Sequence, residues 1–276
     1  MRVHSLIAIP TLCLIMAAAS CRNGKPAMRQ AKEATQEMIG EYKAEIADSV
    51  LVMVDSLAQN YIDNIRNGSL AIETILTERE RLIKPRYLLN PADIDGMVTR
   101  RQKTAALACL ITERPLRIAY GLPVDDADKA MAKLLSDLNY PLDIDGMKER
   151  SVSDNIRKVY EMCRERNQVQ YFWEVQTDAL INTSYLIASN PEIYYSRLTD
   201  EQIERHDEVL DNMVEALERI AQVDREMHRV LDDFRNIGIG QPAKGQHMHE
   251  PTVESFIRFH IENGPEMTNR RNRLLK

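Results

Sequence analysis

Apolar residues recur at helical spacing along most of this chain, and the pattern predicts an all-α protein. Residues 27–66 contain no proline, and their apolar side chains predict one long helix that ends at Asn67 and Gly68. Residues 169–189 hold only two charged side chains, Glu174 and Asp178. Because a helix that is apolar on nearly all sides is packed among others, this segment is predicted to be the central helix.

A second long helix is predicted over residues 200–235, beginning at a capping box formed by Thr199 and Gln202. Its apolar positions follow a heptad repeat that is interrupted only by His206 and Asp224. A narrow apolar stripe of this kind packs against one antiparallel helix or against a partner protein. We term this stripe the seam, and it consists of Ile203, Leu210, Met213, Leu217, Ile220, Met227, Leu231 and Phe234.

Shorter amphipathic stretches complete the predicted bundle, which contains about seven or eight helices in a single domain, residues 27–264. Residues 265–276 are predicted to be a basic C-terminal tail, because Gly264 and Pro265 are expected to end the last helix. The other predicted helices cover residues 70–83, about 97–113, 126–138, a segment that begins at Ser151, and 252–262.

Composition and charge exclude several classes of protein. Only 10 glycines and 11 prolines occur in 276 residues, and 28% of the residues are charged, which excludes a polytopic membrane protein. The net charge of −6 argues against nucleic-acid binding, which needs a surplus of basic side chains. Residues 192–235 contain 13 acidic and 6 basic side chains, so the predicted helix 200–235 has an acidic face.

The N-terminus predicts export and attachment to a membrane. Residues 5–20 form an apolar run that is too short to cross a bilayer, and they follow Arg2, which is typical of a signal peptide, residues 1–20, that is removed. Residues 18–21 (Ala-Ala-Ser-Cys) resemble the lipobox of bacterial lipoproteins. The resemblance implies that Cys21 carries a diacylglycerol and that residues 21–26 form a short tether. An ordinary secretory signal cleaved near Ala19 is the alternative.

The residue after the acylated cysteine indicates which membrane holds such a lipoprotein. Arg22 stands where an aspartate indicates retention at the inner membrane in the lipoproteins that this segment resembles. The chain is therefore expected to be an outer-membrane lipoprotein that faces the periplasm.

Two cysteines remain if Cys13 is removed with the signal peptide and Cys21 is acylated. Cys109 and Cys163 lie on apolar faces of neighbouring predicted helices, and the expected compartment is oxidising. A disulfide between them is one interpretation and two buried free thiols are the other, because nothing in the sequence sets their separation.

The sequence contains no catalytic motif, and no cofactor is predicted. Two histidines in a loop, His247 and His249, with His260 on the next helix, form a weak metal-binding pattern, for which exposed loop histidines are the simpler interpretation. The polar side chains of the central helix either line a small ligand pocket or form hydrogen bonds in the core. These residues are Trp173, Gln176, Thr177, Asp178, Asn182 and Ser184.

Residues 98–234 resemble a group of all-helical lipoproteins of Bacteroidota with no assigned activity. The similar segments are residues 103–107, 172–174 and 184–188. The resemblance implies an all-helical fold in the cell envelope and transfers no catalytic residue. We therefore predict a lipid-anchored, non-enzymatic interaction or scaffold protein whose partner surface, for self-association or a second protein, is the seam and acidic face of helix 200–235. A small-ligand-binding lipoprotein that uses the central helix is the alternative.

Overall fold

Helices form all the regular secondary structure of the described residues, which confirms the all-α prediction. The structure, a computed structural model, describes residues 48–72, 74–82, 85–146, 151–235 and 249–276. The chain divides into two compact units, Met1–Val52 and Met53–Lys276. The signal peptide, Cys21 and the tether lie outside the described residues. All contacts given below belong to the second unit.

Ten α-helices and one 3-10 helix, Pro91–Gly96, are found among the described residues, and we number the α-helices in chain order. The described part of α1 is residues 48–68. The others are α2 (Glu78–Arg81), α3 (Arg100–Ala119), α4 (Asp125–Leu138), α5 (Val152–Glu165), α6 (Val169–Ser189), α7 (Pro191–Tyr195), α8 (Asp200–Ala221), α9 (Arg225–Arg235) and α10 (Val253–Leu275).

The central helix has the predicted bounds and the predicted surroundings. Helix α6 packs most extensively against α10 and α3, and it also contacts α5, α7, α8 and α9. Its aromatic residues Phe172 and Trp173 are fully buried. The nearly uniform apolar character of this segment therefore reflects neighbours on most of its sides.

Helix starts follow the predicted capping pattern. Ser151 accepts a hydrogen bond from the backbone N–H of Asp154 at 3.1 Å, which caps α5. Thr199 and Gln202 form the capping box of α8. These side chains satisfy backbone N–H groups that have no partner within the helix, which fixes where each helix begins.

The long helix predicted over 200–235 is two helices, and this corrects the sequence analysis. Helix α8 ends at Ala221 and α9 begins at Arg225. Between them Asp224 accepts hydrogen bonds from the backbone N–H groups of Glu226, at 2.8 Å, and Met227. Asp224 interrupts the heptad repeat because it caps the second helix, and α9 packs back against α8.

The predicted tail at residues 265–276 is the second half of α10. This helix continues through Gly264 and Pro265 to Leu275, and it buries Met267 and Leu274. A proline removes one backbone hydrogen bond, and here the carbonyl that loses its donor belongs to Ile261, which is exposed to water. Burial of the apolar side chains beyond the proline offsets that loss. Helix α3 likewise continues through Pro115 to Ala119, beyond the predicted end near residue 113.

Gly68 lies at the end of α1 for a steric reason. A Cβ atom at this position would lie 2.8 Å from the backbone carbon of Arg205 and 2.9 Å from the backbone nitrogen of His206. Contacts this short do not occur in folded proteins, so the close approach of α1 to α8 requires glycine here.

Candidate functional site

Polar and charged side chains meet inside the protein where α3, α6 and α10 pack together. Two of them, Asp178 and Asn182, belong to the predicted ligand pocket. All are buried except Arg101, which is partly exposed. We term this group the polar layer, and it consists of Arg101, Glu113, Arg117, Asp178, Asn182 and Arg271.

Glu113 lies at the centre of the polar layer and is fully buried. One carboxylate oxygen accepts a hydrogen bond from Arg271 at 3.0 Å. The other accepts from Arg117 at 3.2 Å and from the backbone N–H of Leu89 at 2.8 Å. Burial raises the pKa of the Glu113 carboxyl, and the two guanidinium groups oppose that rise. The carboxylate therefore joins α3 to α10 and to the segment before the 3-10 helix.

Asn182 connects the same network to the central helix. Its side-chain oxygen accepts hydrogen bonds from Arg271 at 2.7 Å and from the Cys109 thiol at 3.2 Å. Its side-chain nitrogen donates to the Thr112 hydroxyl at 2.8 Å. The amide is thus bonded on both sides, and its role in this arrangement is to hold α3, α6 and α10 together.

The two cysteines are buried free thiols, so the disulfide interpretation was wrong. Burial raises the pKa of both thiols, that of Cys163 to about 12. Because the thiolate is the reactive form, neither side chain is suited to nucleophilic chemistry at neutral pH.

Asp178 and Glu174 lie one turn apart on α6, and both bind Arg101. Arg101 donates to Asp178 at 2.7 Å through one nitrogen and to Glu174 at 3.3 Å through another, and Arg100 donates to Glu174 at 2.6 Å. Burial raises the pKa of the Asp178 carboxyl to about 6, against the opposing effect of Arg101. Structural ion-pair networks shift pKa values as catalytic sites do, and here both carboxylates are occupied by arginine.

The remaining predicted pocket residues do not converge on one space. Trp173 packs against Tyr61 with ring centroids 5.1 Å apart, and Gln176 accepts a hydrogen bond from the same tyrosine at 2.9 Å. Thr177 donates to the carbonyl of Trp173 at 2.7 Å, within its own helix, and Ser184 is buried. The structure thus distributes the six residues over separate contacts of the core.

A cavity of about 240 Å³ lies elsewhere, between α1 and the start of α5. Most of its polar groups bond to one another: Arg157 binds Asp63 at 2.7 Å, and the Ser151 hydroxyl donates to Asp154 at 2.6 Å. Two arginines and two aspartates leave its lining without net charge. None of the predicted pocket residues lines it. The lining residues are Ile62, Asp63, Arg66, Ser151, Ser153, Asp154 and Arg157.

Three histidines surround Phe256 at the junction of α8 and α10. The ring centroids of His260, His249 and His206 lie 4.2, 5.1 and 5.9 Å from that of Phe256. Burial lowers the pKa of His206 to about 4 and that of His260 to about 3. Both are therefore neutral at pH 7, and each bonds to a backbone group, of Gly68 and Phe256 respectively.

This arrangement corrects the interpretation of His249 as an exposed loop histidine. The His260 side chain is buried, and the His249 side chain is nearly so, with its ring nitrogen 3.5 Å from Asp207. His247 lies outside the described residues. Within the part of the chain that the structure describes, no group of three or more His, Cys, Asp or Glu side chains is placed to hold a metal ion.

The seam faces the interior of the protein, which corrects its assignment as a partner surface. All eight of its residues are buried. Helices α8 and α9 pack against each other and against α6, so the seam is covered by helices of the same chain. The acidic face of the same two helices is outside, and its exposed carboxylates are Asp200, Glu201, Glu204, Glu218, Glu226 and Asp232.

Sequence reasoning missed the charged members of the polar layer outside the central helix. Glu113 and Arg117 are four residues apart on α3, and that spacing is a signal of an ion pair. Nothing in the sequence pointed to Arg271, which is 158 residues away from Glu113 and was assigned to a tail.

None of the helices among the described residues combines the length and the apolar character that a membrane crossing requires. Comparisons of the chain with family models, with curated proteins and with solved structures found no match.

Proposed function

We propose that this protein is a lipid-anchored, non-enzymatic interaction or scaffold module on the periplasmic face of the outer membrane. The observation that carries the proposal is the bonding within the polar layer. There the polar atoms of Glu113 and Asn182 form hydrogen bonds to neighbouring helices. Such bonding is typical of a structural framework, whereas a substrate site keeps polar atoms available for its substrate. The surface that binds a partner is then on the exterior of the protein.

The lipid anchor is supported by the sequence before residue 22. An apolar run too short to cross a bilayer ends in small residues and Cys21. Two acyl chains on that cysteine hold a protein stably at a membrane, whereas one chain gives only marginal binding. We infer a permanent attachment.

Mass spectrometry of the chain extracted from the host membrane tests the anchor. We expect a mature N-terminus at Cys21 whose mass includes the lipid. The Cys21→Ser chain should leave the membrane fraction and should lack the lipid mass. An unmodified Cys21, with residues 1–20 removed or retained, would contradict the anchor.

The partner surface that we propose is the acidic face of α8 and α9. Its six exposed carboxylates favour a partner with a basic surface, and such an attraction weakens as salt is added. The seam adds nothing to this surface, because its residues are buried.

Photo-crosslinking in intact cells tests that surface. A photoreactive residue at Glu204, on the acidic face, should form a protein adduct that Glu201→Lys weakens. The matched control is the same residue at Asp126, which is exposed on α4. Adducts at residue 126 and none at residue 204 would overturn the assignment of the acidic face.

One observation favours the alternative, a small-ligand binder that uses the central helix. The indole N–H of Trp173 is buried and has no hydrogen-bond partner among the described residues. Native mass spectrometry of the protein isolated from its host decides between the two. A retained small molecule, released by Trp173→Phe, would favour the ligand binder, and a mass equal to that of the chain and its lipid would favour the scaffold.

A further inference from the structure

Three aliphatic side chains are exposed together near the C-terminal end of α3. Leu82 is 80% exposed, Ile75 is 75% exposed and Ile118 is 48% exposed. Exposed aliphatic side chains are ordinary when they are scattered, and they are informative when they are adjacent. We term these three residues the apolar patch.

Two contacts bring the segment that carries Ile75 and Leu82 against the C-terminal end of α3, where Ile118 lies. The N–H of Leu76 donates to the carbonyl of Ala119 at 3.1 Å, which brings the backbone of Ile75 close to that of Ile118. Leu76 itself is buried and holds this segment against the core. Arg81, next to Leu82, has its guanidinium beside Gly121, just after α3.

Three arginines lie close to the patch in the sequence. Arg79, Arg81 and Arg86 are all exposed, and none has an ion-pair partner among the described residues. Of the two carboxylates in residues 74–82, Glu80 binds Arg197 at 2.8 Å, and Glu78 is exposed. Exposed aliphatic side chains surrounded by unpaired cations are typical of a surface that lies on an anionic membrane.

We propose that the apolar patch and its arginines rest on an anionic phospholipid surface, with the aliphatic side chains at the level of the headgroups. The proposal rests on the lipid anchor proposed above, which keeps the protein beside a bilayer. Three aliphatic side chains and three arginines form a weak site by themselves. Once the protein is anchored, weak contact suffices to orient it, because the local lipid concentration is high.

Charge and size favour lipid over a second copy of the chain. In a symmetric pair of copies the same patch meets itself, so Arg79 and Arg81 of one copy would face their equivalents in the other. Three aliphatic side chains also make a small patch compared with the surface that a stable protein interface buries. The phosphate groups of a lipid surface complement the arginines, and contact with such a surface does not require a large buried area.

The test places a fluorophore at residue 82 and compares it with residue 98. Val98 is a matched control: it is 83% exposed and lies before the opposite end of α3, about 30 Å from Ile118 along the helix. The arginines near Val98, Arg100 and Arg101, are bound to Glu174 and Asp178. The Leu82→Cys and Val98→Cys chains, full length and extracted from the host membrane, are labelled and reconstituted into vesicles that carry a nitroxide-labelled lipid.

We expect the nitroxide to quench the label at residue 82 several-fold more than the label at residue 98 in vesicles of phosphatidylethanolamine and phosphatidylglycerol. The difference should disappear in phosphatidylcholine vesicles, and Arg79→Glu with Arg81→Glu should reduce it. Equal quenching at the two positions, no quenching at either, or the same result in phosphatidylcholine would overturn the proposal. Shielding of residue 82 that grows with protein concentration in detergent would overturn it in favour of a second copy.

The unsubstituted chain separates this proposal from the lipid anchor. Cys109 and Cys163 are buried, so Cys21 is the remaining cysteine of the mature chain to take the label. Labelling of the unsubstituted chain would show that Cys21 is not acylated, which contradicts the anchor and leaves the comparison of residues 82 and 98 to be judged on its own result.

Discussion

The polar layer and the apolar patch both reverse the usual distribution of side chains, and they do so in opposite directions. In the polar layer, charged groups such as Glu113 and Arg271 are buried. In the apolar patch, Leu82 and Ile75 are in water. The buried charges bond to one another, whereas no side chain among the described residues covers the exposed aliphatic side chains.

The polar layer therefore stabilises the fold, whereas the apolar patch is available to bind a partner outside the chain. Removing one member of a bonded, buried network leaves the others without partners, so stability depends on each of them. Removing an exposed aliphatic side chain leaves the folded state nearly unchanged. Substitutions in the polar layer should therefore change the free energy of unfolding, and substitutions in the apolar patch should change vesicle contact.

The largest expected effect is that of Glu113→Ala. The substitution leaves Arg117 and Arg271 buried without their carboxylate and the N–H of Leu89 without its acceptor. We expect the free energy of unfolding, measured by urea denaturation, to fall by about 3–5 kcal/mol. Glu266→Ala, at an exposed position of α10, is the control and should change it by less than about 0.5 kcal/mol. Equal stability of the two variants would mean that the polar layer is not structural.

Acidification should also destabilise the interior. Unfolded histidines bind protons near pH 6.5, whereas in the folded chain the pKa of His206 is about 4 and that of His260 is about 3. Protons therefore bind the unfolded chain first, and stability that is present above pH 6.5 is lost as the pH falls. The pKa of Asp178, raised to about 6, acts in the opposite direction and offsets part of the loss.

From about pH 7 to about pH 5 we expect a net loss of roughly 2 kcal/mol in urea denaturation. His260→Gln should remove about half of the histidine contribution. Vesicle contact at residue 82 should persist over this pH range as long as the protein is folded. A stability that is constant from pH 7 to pH 5 would show that the two histidines are accessible to protons.

A smaller effect is expected for Asn182→Ala. It leaves the Arg271 guanidinium and the Thr112 hydroxyl each without one hydrogen bond in the core. The expected cost is about 1–3 kcal/mol in urea denaturation. Asn212→Ala is the matched control, because that side chain bonds only to the backbone of its own helix, at Glu208. If the control costs as much as Asn182→Ala, the central position of Asn182 has no special importance.

The smallest effect on stability is expected for Leu82→Asp. This side chain is exposed, and its loss should change the free energy of unfolding by less than about 0.5 kcal/mol. The same substitution should abolish the vesicle contact of the patch. A loss of stability comparable to that of Asn182→Ala would show that Leu82 packs against the protein and is not free for lipid.

The sequence predicted the parts of the fold that depend on local pattern. The central helix, 169–189, and the capping residues Ser151 and Thr199 were predicted correctly, because periodicity and caps are encoded within a few residues. The break at Asp224 was visible as an interruption of the heptad repeat. It was read as an exception within one helix, although a capping aspartate also begins a new one.

The features that could not be predicted depend on contacts between distant residues. Pro265 indicates a helix end locally, and packing of Met267 and Leu274 against the rest of the protein overrides that signal. The bond between Glu113 and Arg271 joins residues 158 positions apart. The partner of the seam could not be predicted for the same reason, because an apolar stripe does not indicate whether the helix that covers it belongs to the same chain.

Hydrogen exchange of the backbone amides, compared between the protein on anionic vesicles and the protein in detergent, tests the account most directly. It reports on every region of the full chain without a substitution. The account predicts added protection for residues 74–82 and 120–122 on vesicles and no change in α6 or along α8 and α9. Protection confined to α8 and α9, or identical exchange in the two conditions, would contradict it.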